Sequence, residues 1–335
     1  MRVIHGLLRI GHFVVVAIIL LGMIGWGTLA LYYSDLTSAT LRCILGGVFA
    51  LGSVVLLLFV RPRRRALLGF LVVFGGVLWW WSLIPPSNER DWQPDVAVLP
   101  YATFAGDTVT LHNIRNNQYR SETDFTVRYY DKTFDLSKLR SLDLFLSYWG
   151  PTLIAHTIMS FGFEGNDYVA ISIETRKEKG EEYSAIKGFF KQYELIYVVA
   201  DERDLVRLRT NYRGEDVYLY RLQGSLETAR KVFLQYLRDI NRLREHPEWY
   251  NALTENCTTS IYRIARPYAE RSWWDWRLFV NGYVDELAYE IGAVDRSLPF
   301  AEFKARSLIN QRAQAADQDP DFSRKIRIGL PGMAE

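Results

Sequence analysis

The chain holds two cysteines and five histidines. Cys257 stands in the polar stretch LTENCTTSIYR, whereas Cys43 stands in the apolar run LRCILGGVFALG. A thiol attacks as its thiolate, and an unperturbed thiol has a pKa of ~8.5. A helix N-terminus lowers that value, because its unpaired N–H groups favour negative charge. Thr254, Asn256, Thr258 and Thr259 are capping or small polar types, and SIYRIARPYA continues with helical spacing up to Pro267. Cys257 is therefore expected at a helix start, a nucleophile with small hydroxyl neighbours that leave room for an acyl group. A plain buried cysteine, packed as a small hydrophobe, is the other reading of the same residue.

A nucleophile needs a base, and the base an orienting partner. IAHTIMSFGF alternates as a strand does, with Ala155, Thr157, Met159 and Phe161 on one face and His156, Ile158 and Ser160 on the other. An unpaired imidazole among apolar neighbours is costly to bury. As a general base, His156 takes the thiol proton and returns it to the leaving group; a histidine kept for structure alone is the alternative. His5 and His12 flank the first apolar run, His246 precedes Pro247, and His112 is a substitute base. Glu174, in the following strand ISIETR, can face His156 across the ladder and orient it. Asn251, six positions before Cys257, suits donation to an oxyanion. In NIRNNQYRSETDF, Arg115, Tyr119, Arg120 and Asp124 suit a lipid phosphate, because guanidinium matches phosphate geometry. A polar strand and turn held by Asn–backbone bonds accounts for the same residues. Asn256, beside the cysteine, joins Arg115, Tyr119 and Arg120 as a substrate-binding candidate. There is no Cys-x-x-Cys and no close-spaced histidine pair, so neither a metal site nor a diffusible cofactor is expected.

The elements that must position these residues fall into two regions. Phe13 to Tyr33, Cys43 to Val60 and Ala66 to Ile84 carry no charge, and each matches the ~20 residues that cross a hydrocarbon core of ~30 Å. Two further runs follow the first, which favours an uncleaved helix over a signal peptide. RPRRR, Arg61 to Arg65, predicts a cytoplasmic loop between the second and third spans. The N-terminus then lies inside and everything from Pro85 onward outside. WWW, Trp79 to Trp81, suits the outer interfacial belt. Residues 1–84 thus read as a three-span transmembrane region, 85–300 as an outer domain, and 301–335 as a polar C-terminal tail packed on it. The outer domain offers strands first and helices late, which predicts an α+β class; a strand with a turn at Asp131–Lys132 is expected within DFTVRYYDKTFDLSKL. SLETARKVFLQYLRDINRLREH predicts a helix capped by Ser225, with Ala229, Val232, Phe233, Tyr236, Leu237 and Ile240 as its apolar stripe. A net charge of +2 implies no large basic surface, so no nucleic-acid partner is expected.

The segments RDWQPDVAVLP, NIRNNQYRSETDF, IAHTIMSFGF, ISIETRKEKGEEYS, YVVADERDLVRLRT, RGEDVYLYRL and NCTTSIYR together resemble the family named for the periplasmic domain of Lnb, a bacterial lipoprotein N-acyltransferase. The order of histidine before cysteine also resembles the permuted NlpC-type branch of the papain-like fold, which includes relatives of lecithin–retinol acyltransferase. The resemblance implies a permuted papain-like periplasmic domain in which Cys257 carries an acyl group as a thioester and His156 is the base. It implies acyl chemistry on a phospholipid or lipoprotein substrate at the membrane, and a multi-pass protein of the bacterial inner membrane with its C-terminal domain in the periplasm. Three functions remain open on the residues: a membrane-anchored cysteine acyltransferase, a cysteine hydrolase (peptidase or amidase) of the envelope, and a non-catalytic envelope binding module. Shared fold and nucleophile do not fix the substrate.

Overall fold

The computed structural model describes residues 2–251, 261, 275–278 and 280–333. Cys257 and Asn256 lie outside the described residues. The chain divides into two compact units, one of Met1–Ser87 with Ser184–Gln192, the other of Asn88–Tyr183 with Tyr193–Glu335.

The first unit is built on α1 (Arg2–Tyr32), α2 (Ala39–Phe59) and α3 (Arg63–Ser82). Their apolar lengths of 25, 21 and 20 residues each suffice to cross a bilayer. Outward side chains such as Ile18, Leu51 and Val72 are exposed, as lipid-facing positions must be. Inside, Ile24, Phe49 and Phe70 form a small core. Gly27 lets helices α1 and α2 approach: a Cβ there would stand 2.6 Å from the Phe49 ring. The segment Ser184–Gln192 belongs to this unit, although its neighbours in sequence do not. Lys191 Nζ donates to the carbonyls of Trp81 (2.9 Å) and Ile84 (3.1 Å) and lies 4.3 Å from the Trp81 ring centre. Phe190 stacks on Tyr33 at 5.7 Å.

The second unit is a mixed α/β domain. Among the described residues its main sheet has eight strands: β1 (Tyr101–Ala105), β2 (Thr108–Arg115), β5 (Tyr129–Asp135), β6 (Leu139–Tyr148), β7 (His156–Phe163), β8 (Asp167–Arg176), β9 (Glu194–Ala200) and β10 (Asp216–Arg221). The order is β1-β2-β9-β8-β7-β6-β10, with β5 also pairing β2; β3 (Gln118–Tyr119) and β4 (Phe125–Thr126) form a separate hairpin. Neighbouring strands are antiparallel except β2 and β9, which meet in parallel at Arg115 and Ala200. No turn forms at Asp131–Lys132: β5 runs straight through both residues, because Lys132 pairs with Leu111 of β2 and its ammonium meets Asp167 at 2.7 Å.

Period-two alternation gives the sheet two apolar faces. On one, Leu146, Met159, Phe161, Ile171, Tyr197 and their neighbours pack against α5 (Leu226–Glu245) through Val232, Phe233, Tyr236, Leu237 and Ile240. Ser225 caps α5 by accepting from Thr228 N at 3.1 Å, as its sequence predicts. On the other face, Phe145, Ile158, Ala170, Ile196, Val198 and Leu219 pack against α4 (Glu202–Arg207) and the C-terminal stretch. That stretch reads as polar, yet it buries Ile309, Ala313, Phe322, Ile326 and Leu330 in this second core. Its polar residues are the outer half of short amphipathic turns.

Candidate functional site

His156 opens β7 on the face of the second core, at the end of the sheet where β6 finishes and β9 begins. Its ladder partner on β6 is Ser147. On β8 the pairing of Ile158 with Ser172 brings Ser172 and Glu174, two residues apart and so on one face, beside the imidazole. His156 Nε2 lies 2.6 Å from Ser172 Oγ, Ser172 donates to Glu174 Oε1 at 2.7 Å, and that carboxylate oxygen is 3.7 Å from His156 Nε2. The serine proton goes to the carboxylate, so Oγ accepts from Nε2–H. A neutral His156 then carries its lone pair on Nδ1.

Glu174 is fixed from its far side. Arg209, in the turn of π-helix Leu208–Arg213 that continues α4, donates to Glu174 Oε1 at 3.0 Å. Burial pushes the Glu174 carboxyl up, but the charge of Arg209, the neighbouring His156 and the charge of Arg115 outweigh it and hold the group well below the usual carboxylate range. Arg209 Nε is also 3.8 Å from Glu215, to which Ser147 donates, so the relay ends in a buried network that leaves Glu174 little freedom to turn away.

The segment that carries Cys257 is fastened at both described ends to this same end of the sheet. Before it, Leu195 N donates to Glu248 O (2.8 Å) and Tyr250 N to Tyr193 O (2.9 Å), against the start of β9. After it, Asn281 grips Ala155, accepting from its N–H at 2.9 Å and donating to its carbonyl at 2.7 Å. Gly282 N donates to Leu153 O at 3.0 Å, and a Cβ on Gly282 would collide with the Thr152 carbonyl. Thus the two residues that close the segment also set the backbone that leads into His156. Between them, Ile261 packs against the first core.

The other candidates are placed as follows. Asn251 is half-buried at the end of the Glu248–Tyr250 stretch. Arg115 is 3% exposed and does not face solvent. Its Nε and terminal nitrogen meet Asp204 at 2.9–3.2 Å, and its remaining donor meets Asp95 O at 2.9 Å. A lipid phosphate cannot reach that guanidinium, because a buried carboxylate already occupies the fork. Tyr119 is buried too and donates to Asp204 at 3.2 Å, while Arg120 is outside, paired with Asp124. His112 forms its own set, with Nδ1 2.7 Å from Asp131 and Nε2 3.1 Å from Thr103 Oγ1. Asp131 and Thr103 are exposed, so water competes for every bond in it.

Residues 125–282 match the family model described as the Lnb N-terminal periplasmic domain. That segment is what the chain shares with the family. The Lnb-type segment contains His156, Glu174, Asn251, Asn256 and Cys257 and stops at Gly282; Arg115, Tyr119 and Arg120 precede it. Neither the curated proteins nor the solved structures gave a match. With three membrane-length helices before it, the Lnb-type segment makes this a membrane protein with a periplasmic-type domain. Ser172, Arg209, Asn281 and Gly282 are the site residues the sequence reading misses. Ser172 is recoverable in retrospect, since it precedes Glu174 by two on an alternating strand; Arg209 carries no such signal.

Proposed function

We propose that the protein is a membrane-anchored cysteine acyltransferase acting on lipid acyl groups in the cell envelope, with lipoprotein N-acylation as the specific reaction. The observation that carries the reading is the His156–Ser172–Glu174–Arg209 relay at the sheet end to which both sides of the Cys257 segment are tied. An imidazole oriented through Nε2 and backed by a fixed anion is the partner a thiolate needs.

The chemistry runs in two steps. The Cys257 sulfur, its proton held by His156, attacks the carbonyl carbon of an acyl ester. The C–O bond breaks, the leaving alkoxide takes the proton from His156, and a thioester remains on Cys257. An amine then attacks the thioester; His156 accepts a proton from the attacking nitrogen and passes it to the leaving sulfur, and an amide forms. Asn251 is proposed as a donor to the oxyanion of both steps and Asn256 as a contact to the acyl carbonyl. Three membrane helices before the domain, and the resemblance to a lipoprotein N-acyltransferase, support a lipid donor over a soluble peptide. The proposed setting is the bacterial inner membrane with the domain on its outer side.

Incubation of the intact protein with phospholipid, followed by intact-mass measurement, tests this reading. One acyl adduct per chain is expected, labile to hydroxylamine and absent from Cys257→Ala. Equal labelling of that variant overturns it.

A further inference from the structure

The loop that leads into His156 carries no charge and hides little of itself. Between the end of β6 at Tyr148 and the start of β7 at His156, residues 149–154 (WGPTLI) are all exposed. Trp149 is 53% exposed, Leu153 52% and Ile154 57%. Trp276, at 56%, belongs to the same spot. Its ring meets Tyr283 at 5.5 Å, and Gly282, the residue before, donates to Leu153 O at 3.0 Å. Among the described residues of the sheet unit, no other large apolar side chain is as exposed as these four.

Folded surfaces scatter their exposed apolar residues singly, and a group of them at one place marks a contact surface. The loop presents these side chains on a fixed backbone: Ile154 N donates to Pro151 O at 3.4 Å, and Asn281 holds Ala155 through both its N–H and its carbonyl. Little ordering cost is left for binding to meet. Tryptophan beside branched aliphatic side chains is the composition that settles at a membrane–water interface. This chain has a bilayer at hand, since it carries three helices of membrane-spanning length. The strand ladder points the same way. His156 lies level with Glu174, and Glu174 pairs with Ile196 of β9. Tyr193 alone separates Glu194, the first residue of β9, from Gln192, which belongs to the helical unit. The polypeptide therefore passes to the membrane helices from the end of the sheet that carries the apolar loop.

We propose that Trp149, Leu153, Ile154 and Trp276 dip into the bilayer leaflet on the domain's own side and dock the His156 end of the sheet on lipid. Side chains of this kind settle ~5–10 Å into the boundary between headgroups and acyl chains, the level at which a phospholipid carries its ester carbonyls. His156 is two residues beyond Ile154, about 7 Å along an extended chain. The consequence for substrate rests on the acyl-transfer reading: the ester is then taken from a lipid still seated in the leaflet. The docking itself needs no cysteine.

Depth measurement on the full chain tests the proposal. Single cysteines, Leu153→Cys, Ile154→Cys and Ser137→Cys, are placed in protein carrying Cys43→Ser and Cys257→Ser, labelled with bimane and reconstituted into phosphatidylcholine–phosphatidylglycerol vesicles. A fraction of the lipid bears a nitroxide on its acyl chain close to the headgroup. Ser137 is the control, because it precedes Leu139, whose partner Phe163 ends β7 away from His156. Bimane at 153 or 154 is expected to be quenched about twofold or more, and bimane at 137 to be unaffected. Leu153 and Ile154 are both exposed, so either substitution spares the cores, and one position is read where the other variant fails to fold. Quenching at neither loop position, or no more than at Ser137→Cys, overturns the proposal and assigns the patch to a protein partner. Quenching as expected, in a chain whose wild type forms no acyl adduct, removes the acyl-transfer reading and supports this one.

Discussion

At the scale of single residues, the imidazole of His156 depends on an anion two bonds away. Glu174→Gln keeps the shape of the relay and removes its charge, so in the proposed mechanism the imidazolium that forms as Cys257 gives up its proton is less stable. Turnover at neutral pH is expected to fall about tenfold or more, and the midpoint of Cys257 alkylation to move to higher pH, a shift that a purely structural role would not produce. His156→Ala is expected to cost ~100-fold or more in acyl transfer, measured as the rate of adduct formation. Glu174 also links folding to pH. Its folded pKa is depressed, so its contribution to stability is complete above the unfolded value of 4.5 and is lost as the pH falls through the lower folded value. Thermal unfolding of wild type and Glu174→Gln should therefore differ near neutrality and converge in strong acid. Cys257 lies outside the described residues, whereas His156 and Glu174 are legible as residue types on alternating strands. Arg209 is not, because the charge that settles Glu174 comes from a helical turn whose packing no local pattern announces.

At the scale of elements, polar side chains fix how α4 sits on the sheet. Asp204 receives Arg115, the Asn117 N–H and the Tyr119 hydroxyl, all buried. Burial works against the Arg115 charge and Asp204 more than offsets it. Asp204→Ala leaves that guanidinium buried without its partner, and a loss of about 3–5 kcal/mol is expected in denaturant melts of the detergent-solubilised protein. NIRNNQYRSETDF could be read from its arginines as an anion-facing strand; which arginine faces out depends on Asp204, some 85 positions away. Gly282→Ala tests a different joint. The added Cβ must push Thr152 and with it the approach to His156. Reduced acyl transfer together with a lowered melting temperature is the expected outcome, read by adduct rate and by calorimetry side by side. The strands and α5 were legible because alternation and the 3.6-residue stripe are local; the buried turns after residue 301 were not, since their apolar residues are sparse and find their partners across the sheet.

At the scale of the whole molecule, the basic loop Arg61–Arg65 fixes an expected orientation. In a background with both Cys43→Ser and Cys257→Ser, a membrane-impermeant maleimide should label Ser137→Cys in spheroplasts and Arg63→Cys only after permeabilisation. The reverse pattern would put the domain in the cytoplasm and remove the envelope reading. The three apolar helices are plain in the sequence, whereas the membership of Ser184–Gln192 in the helical unit is not, for nothing in EEYSAIKGFFKQ marks it as other than a loop. That segment makes the polypeptide pass between the units three times, near residues 87, 183 and 192. A protease that severed the chain near residue 87 would thus leave the C-terminal fragment still gripping the helices through Lys191 and Phe190, and such a nicked protein should sediment with membranes until detergent or denaturant loosens that hold.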